Sequence, residues 1–295
     1  LVAFAIGLLV PAVVIFMKEN MNTKVRGRKD LETLSAPLIG EIPQCSGTKR
    51  KWGLKKRQKT NTIVVNEGNR NIINEAFRVL RSNMDFMASK DSSQNVFVLT
   101  SFNPGSGKSF LTMNIAMSFA IKKKRILVID GDLRHGTISS DIDSPEKGLS
   151  DYLNNRVENW REIIVSHKEY ANLQFLPIGT VPPNPTELLE DRKLADLITA
   201  LRPEYDYIFI DCPPVDIVAD AQIIEKLADR TIFVIRSGLL DRTMLSELET
   251  MYTAKRFKNL SMILNGTEST GGRYGYGYRY GYHYGYASYY GGKDK

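Results

Sequence analysis

The chain has 295 residues, 42% of them hydrophobic and 25% charged, which excludes a disordered chain and leaves room for about two domains. Its formal charge is +7, but residues 18–59 hold twelve Lys/Arg against four Asp/Glu; the rest is nearly neutral, and a uniformly cationic nucleic-acid binder is excluded. The two cysteines, Cys45 and Cys212, stand far apart in unlike contexts, which excludes a disulfide framework or a zinc site and makes a reducing compartment the default.

In chain order, residues 1–17 carry no charge, and Lys18, Lys24, Arg26, Arg28 and Lys29 come after them rather than before. A secretory signal has its positive charges first. The pattern predicts the end of a transmembrane helix cut at its start, with the remainder of the chain on the cytoplasmic side. Residues 18–60 are polar, contain Pro37 and Pro43, and include the run KRKWGLKKRQK at 49–59. They read as a basic tether: the run is either a solvated loop or a contact to anionic headgroups.

Between residues 61 and 266 short apolar runs alternate with stretches of helical period. The runs are VFVLT at 96–100, ILVID at 126–130, LQFLPI at 173–178, YIFID at 207–211, TIFVI at 231–235 and SMILN at 261–265. Runs apolar on both faces belong in a parallel sheet covered by helices. The expected fold is therefore α/β, a doubly wound and mainly parallel sheet. Residues 267–295 close the chain with nine of its fourteen tyrosines, alternating mostly with glycine. Such a segment cannot build a core and reads as a flexible low-complexity tail.

Three motifs carry chemistry. Directly after VFVLT comes SFNPGSGKS at 101–109, and then a helical stretch. A glycine-rich loop between strand and helix converges backbone N–H groups on phosphate oxygens, and the helix N-terminus favours the negative charge. The nucleotide-binding residues are Pro104, Gly105, Ser106, Gly107, Lys108, Ser109 and Phe110, with Lys108 reaching the β/γ-phosphates and Ser109 ligating Mg²⁺. The general pattern has glycine where Phe102 stands. The second motif places Asp130 and Asp132 after one strand, and the third places Asp211 after another. A single Asp there is commonly a cap or turn former; three beside a phosphate loop suit nucleotide chemistry. Asp211 fits the Walker B role of holding Mg²⁺, while Asp130 or Asp132 can accept a hydroxyl proton or complete the metal shell. Cys212 reads as a small buried residue, Asn265 as a turn former or an adenine contact, and His135, His167 and His283 show no metal spacing.

SFNPGSGKS, ILVIDGDLR, YIFIDCPP and the terminal tyrosines together resemble the bacterial tyrosine kinases attached to polysaccharide co-polymerases, as do the stretch after the apolar segment and PPNPTELL at 182–189. The resemblance implies a P-loop NTPase-like kinase domain at 61–266, using ATP and Mg²⁺, on the cytoplasmic side of a bacterial inner membrane. The part expected before the apolar segment would be a periplasmic region and a first transmembrane helix. It implies that Lys108, Asp130, Asp132 and Asp211 are catalytic, with Asp130 favoured for activating the tyrosine hydroxyl, and that Ser109, Asp130 and Asp211 serve the metal. It implies further that Tyr274, Tyr276, Tyr278, Tyr280, Tyr282, Tyr284, Tyr286, Tyr289 and Tyr290 accept phosphate from a neighbouring subunit, regulating capsule or exopolysaccharide export.

One more motif, Glu75, Arg78 and Arg81, has a spacing of three that describes a solvated helix face with an intrahelical pair. The resemblance instead gives these residues to a homo-oligomeric ring, an octamer in the family. Export proteins and a cognate tyrosine phosphatase are partners implied by resemblance, and no nucleic acid is expected. The rival reading is a membrane-associated P-loop ATPase switch without kinase activity. Asn103, standing where partition and cell-division ATPases carry a signature lysine, counts against its best-known form.

Overall fold

Apolar runs that alternate between two cores become the strands of one sheet. In Val96–Thr100, Val96 and Val98 enter one hydrophobic cluster, while Phe97 and Leu99 enter the cluster on the opposite face. Ile126–Asp130 and Tyr207–Asp211 divide in the same way, which is the period of two expected of a strand buried on both sides. The computed structural model describes residues 22–44, 63–88, 94–215 and 219–268. The apolar stretch at 1–17, the basic run at 49–59 and the tyrosine tail all lie outside the described residues. Among the described residues no helix is long and apolar enough to cross a membrane.

The strands are β1 (Leu38–Pro43), β2 (Val96–Thr100), β3 (Ile126–Asp130), β4 (Val165–Ser166), β5 (Leu173–Leu176), β6 (Tyr207–Asp211), β7 (Arg230–Arg236) and β8 (Ser261–Thr267). Their order across the sheet is β1-β8-β7-β2-β6-β3-β5-β4, and only the β4–β5 pair is antiparallel. The α/β sheet flanked by helices is thus as expected. β5 stops at Leu176 because Pro177 has no N–H for the ladder, so the run LQFLPI is shorter as a strand than as a pattern. β2 is central, with β6 and β3 on one side and β7 and β8 on the other.

Part of the segment expected to be a tether is built into this sheet. β1 runs parallel to β8, with Leu38 opposite Met262 and Ile42 opposite Asn265. Upstream of it, residues 22–31 form a strap across the 238–242 turn. The Val25 N–H donates to the Leu240 carbonyl at 2.9 Å, the Gly238 N–H donates to the Val25 carbonyl at 2.8 Å, and Arg242 Nε pairs with Asp30 at 2.9 Å. Val25 and Ile42 are fully buried. Two prolines and many charges hide this docking in the sequence, because edge strands tolerate both.

Helix α1 (Ile72–Ala88) covers β1. Asn71 Oδ1 accepts from the Asn74 N–H at 2.8 Å, an N-cap, and Phe77, Leu80 and Met84 are fully buried along one stripe. Gly40 permits the approach: a Cβ there would stand 2.7 Å from Leu80 Cδ1. Leu80→Ala is therefore expected to destabilise the domain by about 2–5 kcal/mol, read from urea unfolding midpoints. A loss below about 1 kcal/mol would mean that α1 is not anchored through this contact.

Candidate active site

β2 ends at Thr100, and helix α2 (Lys108–Ala120) begins after the loop 101–107. Gly105 and Gly107 adopt φ of +74° and +90°, a region that L side chains rarely enter. Gly107 is also hemmed in: a Cβ there would stand 2.3 Å from Asn265 Nδ2. Phe102 is not among the residues of positive φ. Its ring is buried edge-on against Phe233, centroids 4.7 Å apart, so the loop fills core where the general pattern has glycine.

Every residue from Leu111 to Ala120 is buried and the first turn of α2 carries no acidic residue, which leaves the field at its N-terminus to an anion. The loop is braced by side chains. Ser106 Oγ donates to the Asn103 carbonyl at 2.8 Å, and Asn265 Nδ2 donates to the Ser106 carbonyl at 2.8 Å from the end of β8. Lys108 Nζ lies 3.3 Å from Ser101 Oγ. Burial lowers the pKa of Lys108, and the charges of Asp211 and Asp132 oppose that fall.

The strands beside the loop supply the carboxylates. Asp130 on β3 and Asp211 on β6 are register partners, so their side chains emerge next to one another on one face. Gly131 lets the strand ends close up, its N–H donating to the Asp211 carbonyl at 2.8 Å. Both carboxylates are buried, at 0% and 2% exposure. Ser139 donates to Asp130 Oδ2 from its N–H at 2.8 Å and its hydroxyl at 2.7 Å, and the Ser109 hydroxyl donates to Asp211 Oδ2. The other oxygen of each, Asp130 Oδ1 and Asp211 Oδ1, is buried without a hydrogen-bond partner among the described residues. Burial pushes Asp211 up to about 7, with the charge of Asp130 adding to the rise. Burial pushes Asp130 up to about 6, the bonds from Ser139 opposing.

Two buried, partnerless carboxylate oxygens beside a hydroxyl form a donor set that fits Mg²⁺, which prefers one or two carboxylates, phosphate oxygens and water to a closed protein cage. No cluster of three or more His, Cys, Asp or Glu that could cage a metal occurs among the described residues. Asp132 is more exposed and belongs to a turn, its Oδ1 accepting from the N–H groups of Arg134 and His135, each at 3.2 Å. Cys212 is buried and its thiol is pushed well up by burial, as befits a packing residue.

The comparisons with known proteins agree with this geometry. The family model described as an AAA domain matches residues 94–258, which contain the loop and all three aspartates. Tyrosine-protein kinase YwqD of Bacillus subtilis is 32% identical over 222 residues, covering 75% of this chain and 92% of that protein. The chain belongs to the bacterial tyrosine-protein kinases. A putative tyrosine-protein kinase of this family, AmsA of Erwinia amylovora, is 30% identical over 266 residues, 85% of this chain and 35% of that protein. The chain thus spans about a third of the length of some of its curated kinase relatives. The solved kinase domain of Escherichia coli tyrosine kinase ETK has 26% sequence identity and a TM-score of 0.72, over 86% of this chain and all of that one.

Within this kinase fold Lys108, Ser109, Asp130 and Asp211 come together, with Asp132 at their margin. Glu75 and Arg78 pair with one another on the surface of α1, and Arg78 also donates to the Asn69 carbonyl at 2.9 Å. Arg81 instead turns inward, donating to the Ser118 carbonyl near the end of α2 at 2.7 Å. Asn265, which the sequence left open between turn former and adenine contact, braces the loop through the Ser106 carbonyl. Its placement at a strand's C-terminal end was a signal, but the bond to the loop carbonyl depends on which strands are neighbours.

Proposed function

We propose that the chain transfers the γ-phosphate of ATP to the tyrosines of its own tail, Tyr274 to Tyr290, between subunits of a homo-oligomer held at the bacterial inner membrane by the apolar segment 1–17. The observation that carries this reading is the pair of buried carboxylates, each with one partnerless oxygen, facing the phosphate loop of a chain from a tyrosine kinase family. Lys108, the loop N–H groups and the α2 N-terminus hold the phosphates. Ser109 and Asp211 would hold Mg²⁺, with Asp130 beside them, and the metal would neutralise charge on the phosphate oxygens.

In the transfer a tyrosine hydroxyl oxygen bonds to the γ-phosphorus, the bond from that phosphorus to the β,γ-bridging oxygen breaks, and ADP leaves. The hydroxyl proton goes to a carboxylate. Asp130 suits this role, since its Oδ1 lacks a partner and its pKa near 6 lies close to neutrality, whereas Asp132 Oδ1 is engaged by two backbone N–H groups. Each phosphate adds about −1.5 to −2 charges to the tail. Glu75, exposed on α1, and half-buried Arg78 are assigned to subunit contacts in this reading. The biological output is regulation of capsule or exopolysaccharide export. Supporting that, one relative in Klebsiella pneumoniae is named a putative tyrosine-protein kinase in a cps region.

A mixing experiment tests transfer between subunits. A Lys108→Met chain with an intact tail serves as acceptor, and a chain truncated after Gly272 serves as enzyme. Mass spectrometry is expected to find phosphate on Tyr274–Tyr290 of the acceptor only when the two are combined with Mg²⁺-ATP. Clean tails together with ATP turnover would instead favour an ATPase switch.

A further inference from the structure

Arg236 ends β7 at the edge of the sheet that carries the phosphate loop. Its guanidinium lies against that loop: Nη1 is 3.6 Å from where a Cβ on Gly107 would stand and 3.5 Å from where one on Gly266 would stand. The residue is half-buried, yet its guanidinium has no hydrogen-bond or ion-pair partner among the described residues. Other arginines behave differently. Arg134 bonds to Asp220 at 3.0 Å, Arg230 to the Met87 carbonyl at 2.8 Å and Arg242 to Asp30 at 2.9 Å. A partly desolvated guanidinium left idle beside a ligand-binding loop is costly unless a ligand uses it.

The sheet order says which part of a ligand that is. Asp130 and Asp211 stand on β3 and β6, on one side of β2, and Arg236 and Asn265 stand on β7 and β8, on the other. The carboxylates and Ser109 draw the metal-bearing end of the nucleotide to their side, and the loop N–H groups with Lys108 already serve the phosphates. The nucleoside half then falls over β7 and β8. Asn265 has one N–H donor committed to the Ser106 carbonyl. The planar, weakly hydrated guanidinium of Arg236 is the group there suited to lie flat on an aromatic base.

We propose that Arg236 stacks on the base of the bound nucleotide and sets affinity for the nucleoside half, leaving phosphate binding to the loop. This rests on the reading of residues 101–109 as the ATP site. The test is isothermal titration of the full chain in detergent with Mg²⁺-ADP and, separately, with Mg²⁺-tripolyphosphate, for the wild type, Arg236→Gln and Arg236→Lys. Both variants are expected to bind ADP about tenfold more weakly, the size of a desolvated stacked cation, and to bind tripolyphosphate within twofold of the wild type. Retained tripolyphosphate binding also shows that the variants are folded. Equal losses for both ligands, with recovery in Arg236→Lys, would mean a phosphate contact and overturn the proposal, as would unchanged ADP binding in Arg236→Gln. A wild type that binds neither ligand would overturn the site reading and this inference together.

Discussion

Lys108→Met lowers phosphate incorporation into the tail by about 10²–10³-fold, the loss expected when one preorganised positive group is removed from a water-poor site that handles phosphoryl charge. The lysine stands at the first position of α2, between the loop N–H groups and the buried aspartates. Its burial weakens the charged form, and the charges of Asp211 and Asp132 oppose that fall. Methionine keeps most of the length and packing of the side chain and removes only the charge. The variant should therefore melt within a few degrees of the wild type while failing in the kinase assay. Quantitative mass spectrometry of the tail, beside a thermal scan, reads both. Activity within threefold of the wild type would mean that this lysine does not handle the transferred phosphate.

Asp211→Asn separates activity from stability in opposite directions. Asp211 carries no compensating donor on Oδ1 and stands beside Asp130 on the next strand, so in the protein alone its ionised form is disfavoured, and its pKa rises to about 7. The folded state then holds a proton that the unfolded chain has already released above pH 3.8. Stability consequently falls as pH rises from about 4 to about 7, by on the order of 2–4 kcal/mol, and is flat above that. Asn is neutral throughout, still accepts from Ser109, and its amide can donate toward Asp130.

The Asp211→Asn variant is expected to melt roughly 4–8 °C higher at pH 8 without nucleotide and to show a shallower decline between pH 5 and 7, the remainder coming from buried Asp130, while tail phosphorylation drops about 10²–10³-fold. Melting curves across pH 5–8 check the first half and the kinase assay the second. A wild-type melting temperature that does not change over that range would show that the carboxylate is not held protonated by burial.

The sequence made legible those features that depend on local pattern alone. The inner strands were readable because residues such as Val96 to Leu99 are apolar at every position, a demand made only by a sheet covered on both faces. The loop and the three aspartates were readable because strand ends and glycine spacing place them at one sheet edge. The hidden features depend on which elements become neighbours. LIGEIP contains a glycine, a glutamate and a proline, so β1 resembles a linker until β8 lies beside it. Arg81 has the same helical spacing as Glu75 and Arg78, and only the packing of α1 on α2 turns it toward Ser118. Arg236 reads as the polar end of a strand, and nothing in the pattern brings it to Gly107.

The strap at residues 22–31 has a mechanical consequence. Its backbone bonds at Val25 hold Leu240 and Gly238 from opposite directions, and the Arg242–Asp30 pair adds a third attachment. Three fastenings spread over one turn resist swivelling as a single hinge does not. The strap is therefore pinned close to the turn just after Arg236. A twist or pull applied upstream would load that turn in shear, two residues from the arginine and across the sheet from Asp130 and Asp211, before it reached any other part of the domain.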